Sequence, residues 1–264
     1  VVLITGASSG IGKSIATFLS KKGYTVYGTS RNPKNIEKFF FKLIALDVLK
    51  VDTITTAINF IIEKEGRLDV LVNNAGMGIT GPIEDTPTDE MRAVFNTNLF
   101  GAVDVMKAVL PHMRKQKSGI IINVTSIAGY MGLPFRGLYS ATKGALETIT
   151  EATSMEVKQF GIKVVCAAPG DFATNIAAGR YHTPVFENSA YKENYQANLD
   201  LMDAHVDGGM DPVEMAKAVF KIINSKNSKI HYKVGGFMEK FSIVLKRILP
   251  DRMYEKMLMN HFKL

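Results

Sequence analysis

The stretch that decides the fold is VVLITGASSGIGKSIATFLSKKG, residues 1–23. Four apolar residues and a threonine run into glycine, the pattern of a short buried strand. Ile11, Ile15, Phe18 and Leu19 then recur at helical spacing, and Gly23 ends the helix. Gly6, Gly10 and Gly12 fill the turn between them. Glycine lets a backbone turn tightly and approach a pyrophosphate, and a helix N-terminus offers free N–H groups and the positive end of its dipole. The spacing is G-x-x-x-G-x-G rather than the G-x-G-x-x-G dinucleotide fingerprint. Taken alone, the loop also reads as an ordinary strand-to-helix turn.

The same alternation continues outward. YTVYGTS (24–30), KLIALDV (42–48), RLDVLVNNAG (67–76), GIIINVTS (119–126), GIKVVCAAPG (161–170) and KIHYKV (229–234) predict six more strands. Ile54, Ala57, Ile58, Ile61 and Ile62 mark a helix face, and residues 89–116, 138–160 and 212–224 predict further helices, the first of them long. Continuous apolar strands alternating with amphipathic helices predict an α/β fold: a doubly wound parallel sheet of about seven strands with helices on both faces. Without repeat, low-complexity segment or linker, residues 1–264 read as a single domain.

Composition bounds the rest. A 264-residue chain with 46% apolar residues can bury a large core. One cysteine, Cys166, excludes an internal disulfide and fits a reducing compartment, so a cytoplasmic setting is expected. In its apolar strand Cys166 reads as a core residue. No run of 18 apolar residues occurs, so no membrane-spanning helix is expected. The net charge of +7 reads as a solvated basic surface, with attraction to anionic lipid as the alternative and no nucleic-acid partner expected. His112, His182, His205, His231 and His261 show no metal-ligand spacing, so no metal is expected.

The end of the second strand bears on cofactor choice. NAD sites place an acid there, about 20 residues on, for the ribose 2′-hydroxyl. This chain has Ser30 and Arg31 and no acid until Glu37. A guanidinium pairs well with a 2′-phosphate, so the cofactor expected is NADP(H). Farther on, GLYSATKGAL (137–146) places Tyr139 and Lys143 four apart on a helix, hence on one face. A nearby ammonium favours phenolate over phenol, which makes a tyrosine a better proton donor and acceptor.

TGASSGIG (5–12), NNAG (73–76), NTNLFG (96–101), INVTSIAG (122–129), YSATK (139–143) and PGDFAT (169–174) stand in an order and spacing that resembles the short-chain dehydrogenases/reductases. The resemblance covers residues 1 to about 180. It implies a Rossmann-like sheet and nicotinamide-dependent oxidoreduction of an alcohol or carbonyl, with transfer of the pro-S hydride. It makes Tyr139 the general acid/base and Lys143 a ligand of the nicotinamide ribose. Ser126 would hold the substrate oxygen, and Asn98 would support a water leading from Lys143 to solvent. It sets Ser8, Ser9 and Ile11 with Gly6, Gly10 and Gly12 around the pyrophosphate. Asp47 and Val48 would flank adenine, Asp47 reading equally well as a helix cap. Asn74, Ala75 and Gly76 would pass close to the ribose. Pro169, Gly170, Phe172 and Thr174 would pack on the nicotinamide. It also implies a homodimer or homotetramer joined through the helices of 89–110 and 140–157, with Val94, Val103, Met106, Leu146, Ile149 and Met155 on the joined faces.

Specificity in such proteins lies after the sixth strand and in the tail. Residues 175–209 read as a substrate lid and 237–264 as a helical tail broken at Pro250. The tail resembles those of 17β-hydroxysteroid and retinol dehydrogenases and acyl-dihydroxyacetone-phosphate reductases, which implies a bulky apolar substrate. Phe241, Val244, Leu245, Ile248 and Leu249 form a helical stripe, expected first to pack on the catalytic domain. A partner subunit or an anionic membrane surface, held weakly, are the other readings. The alternative to an enzyme is a non-catalytic NADP(H)-binding sensor or scaffold on the same fold.

Overall fold

Successive side chains of a strand face opposite sides of its sheet, and the first strand shows the consequence. Val2 and Ile4 join one apolar cluster, while Leu3 joins another on the far side. The structure is a computed structural model that describes residues 1–33, 39–173, 179–185 and 187–264, with backbone only for 203–207. Its strands are β1 (Val2–Ile4), β2 (Val26–Ser30), β3 (Lys42–Ala45), β4 (Val70–Asn73), β5 (Ile79–Thr80), β6 (Gly119–Val124), β7 (Ile162–Pro169), β8 (Tyr181–His182) and β9 (His231–Val234). Seven form one parallel sheet in the order β3-β2-β1-β4-β6-β7-β9, as the sequence predicts, and β5 pairs with β8 apart from it.

The helices are α1 (Gly10–Lys21), α2 (Val51–Glu65), α3 (Thr88–Phe95), α4 (Gly101–Gln116), α5 (Gly137–Val157), α6 (Lys192–Asp207), α7 (Pro212–Ile223), α8 (Phe237–Ile248) and α9 (Asp251–Phe262). Ile15, Ala16 and Leu19 of α1 and Val219 and Ile222 of α7 cover the Val2 face. Ile54, Ile58 and Ile61 of α2, with Val105, Val109 and Met113 of α4, cover the Leu3 face. The helical run 88–116 is long and apolar enough by composition to cross a membrane, yet these α4 residues are wholly buried against the sheet.

A buried string of amides ties the layers together. Asn73 and Asn123 face each other across β4 and β6, and Asn73 Nδ2 donates to Asn123 Oδ1 at 3.0 Å. Asn73 also donates to the carbonyl of Ala102 on α4, and Asn123 donates to Thr150 Oγ1 on α5 at 2.8 Å. These donors bridge β4 to α4 and β6 to α5, so the string ties both helices to the sheet.

The long helix expected over 89–116 is present as one run, 88–116, with a π-helical turn, Asn96–Phe100, between α3 and α4. Two expectations are corrected. Val94, Met106 and Leu146, expected on subunit-joining faces, lie inside the subunit. The tail breaks at Pro250 as expected, but its stripe divides. Ile243 is buried with Leu245 and Leu249 packed beside it, while Phe241, Val244 and Ile248 are exposed. Helical spacing cannot tell which of two apolar faces a neighbouring element covers.

The inward face of α8 is clamped by Glu239. Its carboxylate accepts from the backbone N–H of Gly236, closing the first turn of the helix, and from Asp171 N at 2.6 Å. Glu239→Ala should therefore lower unfolding free energy by about 2 kcal/mol, the range for hydrogen bonds to a charged group. Urea titration followed by circular dichroism measures it; unchanged stability would show that the clamp holds nothing.

Candidate active site

The chain runs from β1 outward through β2 to β3, then crosses to β4 on the other side of β1. Open α/β sheets bind ligands in the crevice at such a reversal. Gly6 turns there at φ +67°, and a Cβ on it would come 2.9 Å from Ala75 Cα. A Cβ on Gly12 would stand 2.3 Å from the Gly6 oxygen and 2.4 Å from Asn74 Nδ2. Asn74 Nδ2 donates to the carbonyls of Thr5 and Gly6, both at 3.0 Å, and Asn74 N and Ala75 N donate to Thr5 Oγ1. The predicted residues Gly6, Gly12, Asn74 and Ala75 thus form one floor.

Ser9 stands at the N-cap of α1 but makes no side-chain cap bond, and the first turn carries no acid. The open amides of Gly10, Ile11 and Gly12, with Ser8 and Ser9 exposed at the rim, suit an anion such as a pyrophosphate. Ser30 ends β2, and Arg31 follows it exposed to solvent. Asp47 is not the cap of α2, which is Lys50; its Oδ1 accepts from Leu49 N at 3.0 Å and shapes the turn after β3. Val48 packs under Gly101, where a Cβ would come 2.9 Å from it.

The π-helical turn positions Asn98. Its Oδ1 accepts from Met77 N at 2.8 Å, and its Nδ2 donates to Met77 O at 2.9 Å and to Thr142 Oγ1 at 3.2 Å. A Cβ on Gly76 would lie 3.1 Å from Asn98 Oδ1 and 3.6 Å from Lys143 Nζ, so these groups meet at one point. Lys143 is only 5% exposed; its Nζ donates to Val124 O at 3.0 Å and lies 5.8 Å from the centroid of the Tyr139 ring. Ser126 begins a 3₁₀ turn, Ile127–Tyr130, accepting from Ala128 N at 3.1 Å and donating towards Pro169 O at 3.5 Å. Ser126, Tyr139, Pro169, Gly170, Phe172 and Ile11 line one cleft. Thr174 lies outside the described residues. A hydroxyl, a phenol and a buried ammonium beside an anion-binding turn can bind a polar oxygen and move a proton to or from it.

The sequence profile of the family described as short chain dehydrogenase matches residues 1–184. The chain belongs to the short-chain dehydrogenase family. It is 42% identical to a 3-ketodihydrosphingosine reductase of Bacteroides thetaiotaomicron, over 97% of this chain and 95% of that protein. It is 30% identical to VdlC, a probable short-chain type dehydrogenase/reductase of Helicobacter pylori, over 97% and 96%. A short-chain dehydrogenase from Streptomyces avermitilis superposes with TM-score 0.82 at 31% identity, covering 99% of this chain and 97% of that one. ElxO with NADP bound superposes with TM-score 0.71 at 31% identity, over 88% and 96%.

This short-chain dehydrogenase also gathers residues that sequence reading missed. Arg136 and Arg180 line the cleft with Ile79 and Thr80, and the Arg136 guanidinium lies 5.7 Å from the Tyr139 ring centroid. Arg136 precedes Tyr139 by three residues, a proximity open to reading. Arg180 enters only because the expected lid folds back, β8 on β5, with Tyr195 of α6 bonded to Thr80.

A second group was invisible in the sequence because no spacing links it. Glu147, Cys166 and His231 stand with ligand atoms within 4.8 Å of one another. Cys166 and His231 are register partners on β7 and β9, and Glu147 follows Lys143 by one helical turn. Thr125 Oγ1 donates to Glu147 Oε1 at 2.9 Å; His231 meets Glu151 at 2.9 Å through Nε2 and Tyr130 at 3.1 Å through Nδ1. Burial pushes the Cys166 thiol up to about 12, so it stays protonated and behaves as core.

Burial likewise raises the Glu147 carboxyl, against the hydrogen bonds from Thr125 and Tyr130 and the charge of His231, with Glu151 adding to the rise. A carboxyl with a raised folded-state pKa holds its proton more tightly folded than unfolded. Its stabilising contribution is complete below the unfolded pKa and is lost as pH rises through the folded value. Glu147→Gln keeps an acceptor for Thr125 and cannot ionise. Its Tm should therefore gain on that of the wild type as pH rises above the ordinary carboxylate range. A Tm difference that ignores pH would remove Glu147 as the titrating group.

Proposed function

We propose that this oxidoreductase interconverts a carbonyl and an alcohol with NADP(H), on a bulky apolar substrate of steroid-, retinoid- or lipid-like character. The observation that carries the reading is the convergence of Ser126 and Tyr139 on one cleft whose other wall, Pro169 to Phe172, lies beside the glycine-rich turn. NADPH, when bound, would supply the hydride. Ser126 would bind the carbonyl oxygen. Tyr139 would pass its phenolic proton to that oxygen as charge develops on it, and take it back in the oxidative direction. Lys143, buried and held by Val124 O, would keep positive charge near the phenol and reach the ribose. Asn98, fixed by both polar groups of Met77, would hold the route from Lys143 to solvent open.

Arg31 supports NADP(H), as does the NADP bound to the related ElxO. The lipid-like substrate is supported by the kinship to a 3-ketodihydrosphingosine reductase and by Ile11, Ile79 and Phe172 in the cleft. A non-catalytic sensor would have no use for Ser126, Tyr139 and Lys143 in this arrangement.

The test is NADPH oxidation, followed at steady state, against long-chain ketones and aldehydes and against NADH. Tyr139→Phe should lower kcat about a thousandfold, within the range for a general acid/base, with NADPH affinity nearly unchanged. A variant keeping more than roughly a tenth of normal turnover would sink the assignment. Arg31→Ala should weaken NADPH binding by roughly 1.5–3 kcal/mol and leave NADH binding alone. Equal loss for both cofactors would mean that Arg31 does not read the 2′-phosphate.

A further inference from the structure

Helix α8 has two apolar faces and only one is covered. Ile243, Leu245 and Leu249 pack with Tyr254 against Ile127 and Met131. On the opposite side Phe237, Met238, Phe241, Val244 and Ile248 remain exposed, Phe237 at 75% and Ile248 at 67%. Positions 237, 241, 244 and 248 follow helical spacing, so they form one continuous stripe, and the Phe237 and Phe241 rings stack at 5.7 Å and 11°. Scattered exposed apolar residues need no explanation, but a contiguous stripe marks an interaction surface.

The charges beside the stripe select the occupant. Lys240 and Arg247 are the exposed charged residues of α8. The acid of this helix, Glu239, is turned inward to Gly236 and Asp171. A two-fold contact between copies would bury the same face of both, gathering the Lys240 and Arg247 cations of two helices with no exposed acid of α8 to pair them. An apolar stripe with aromatic residues and flanking cations is instead what an anionic lipid surface takes up.

The position of the stripe relates it to the cleft. Glu239 bonds Asp171, and Asp171 lines the cleft next to Gly170 and Phe172. Phe237 and Met238, the most exposed apolar residues of the helix, lie in the same turn as Glu239. We propose that the outer face of α8 docks the protein onto the surface of an anionic bilayer, with its Phe237 end beside the substrate cleft. The inference does not depend on the substrate assignment, since it concerns binding to the surface and not turnover.

The experiment uses the full chain and two kinds of vesicle, pure phosphatidylcholine and an equimolar mixture with phosphatidylglycerol. The chain contains no tryptophan, so Phe237→Trp gives a single emission that reports burial at that position. The protein should sediment with the mixed vesicles and not with pure phosphatidylcholine, and the Trp emission should shift to the blue on the mixed vesicles. Lys240→Gln with Arg247→Gln should weaken binding by roughly 30-fold, which corresponds to about 1 kcal/mol for each charge. Phe237→Gln with Ile248→Gln should abolish binding while circular dichroism and NADPH binding stay unchanged. Protein that stays in the supernatant with both vesicles would overturn the proposal, as would undiminished binding of the Phe237 and Ile248 variant. A concentration-dependent dimer in light scattering that this variant loses would overturn it too, and would assign the face to a second copy of the chain. Lack of turnover with intact vesicle binding would count against the proposed function alone.

Discussion

The close approach of Gly6, Gly12 and Asn74 is the contact on which the rest of the molecule depends. Three chain segments meet there: the end of β1, the start of α1 and the end of β4. No side chain fits between them, since a Cβ on Gly12 would stand 2.3 Å from a carbonyl oxygen. The contact brings the amides of α1 to the reversal of strand order and lets Asn74 close the backbone with two hydrogen bonds. An anion site formed in this way is made of backbone, so it depends on packing more than on any particular side chain.

Tyr139 and Lys143 are set by a second kind of constraint. The amide string Asn73–Asn123–Thr150 ties α5 to β6 through buried hydrogen bonds. Tyr139 and Lys143 then fall at the C-terminal edge of the sheet. From the other side, the π-helical turn shifts the helix register just where Asn98 must reach Met77 and Thr142. Single π-turns inside α-helices are rare and occur frequently at functional sites. The same cleft acquires Arg136 from the turn before α5 and Arg180 from the segment that leads into β8.

The tail helix α8 carries two unlike faces. Its inward face is held by a carboxylate that joins the helix cap to the cleft wall, and its outward face is apolar and edged by cations.

The glycine turn, the strand–helix alternation and the Tyr139–Lys143 spacing were legible in the sequence because each depends on residues close together in the chain. Backbone sterics, hydrophobic period and helical geometry act locally, so seven strands and their helices could be read directly. Three-dimensional packing decided the rest. Val94, Met106 and Leu146 look like surface on a helical wheel and prove to be core, since only the neighbouring helix tells which face is covered. Phe241, Val244 and Ile248 of α8 belong to the stripe expected to pack on the catalytic domain, and their exposure was hidden for the same reason. The grouping of Glu147, Cys166 and His231 arises from strand register across β7 and β9, which couples residues 65 apart in the chain. A local pattern can fix the shape of an element, but which of its faces meets water, core or another residue's chemistry depends on what the chain brings back to it.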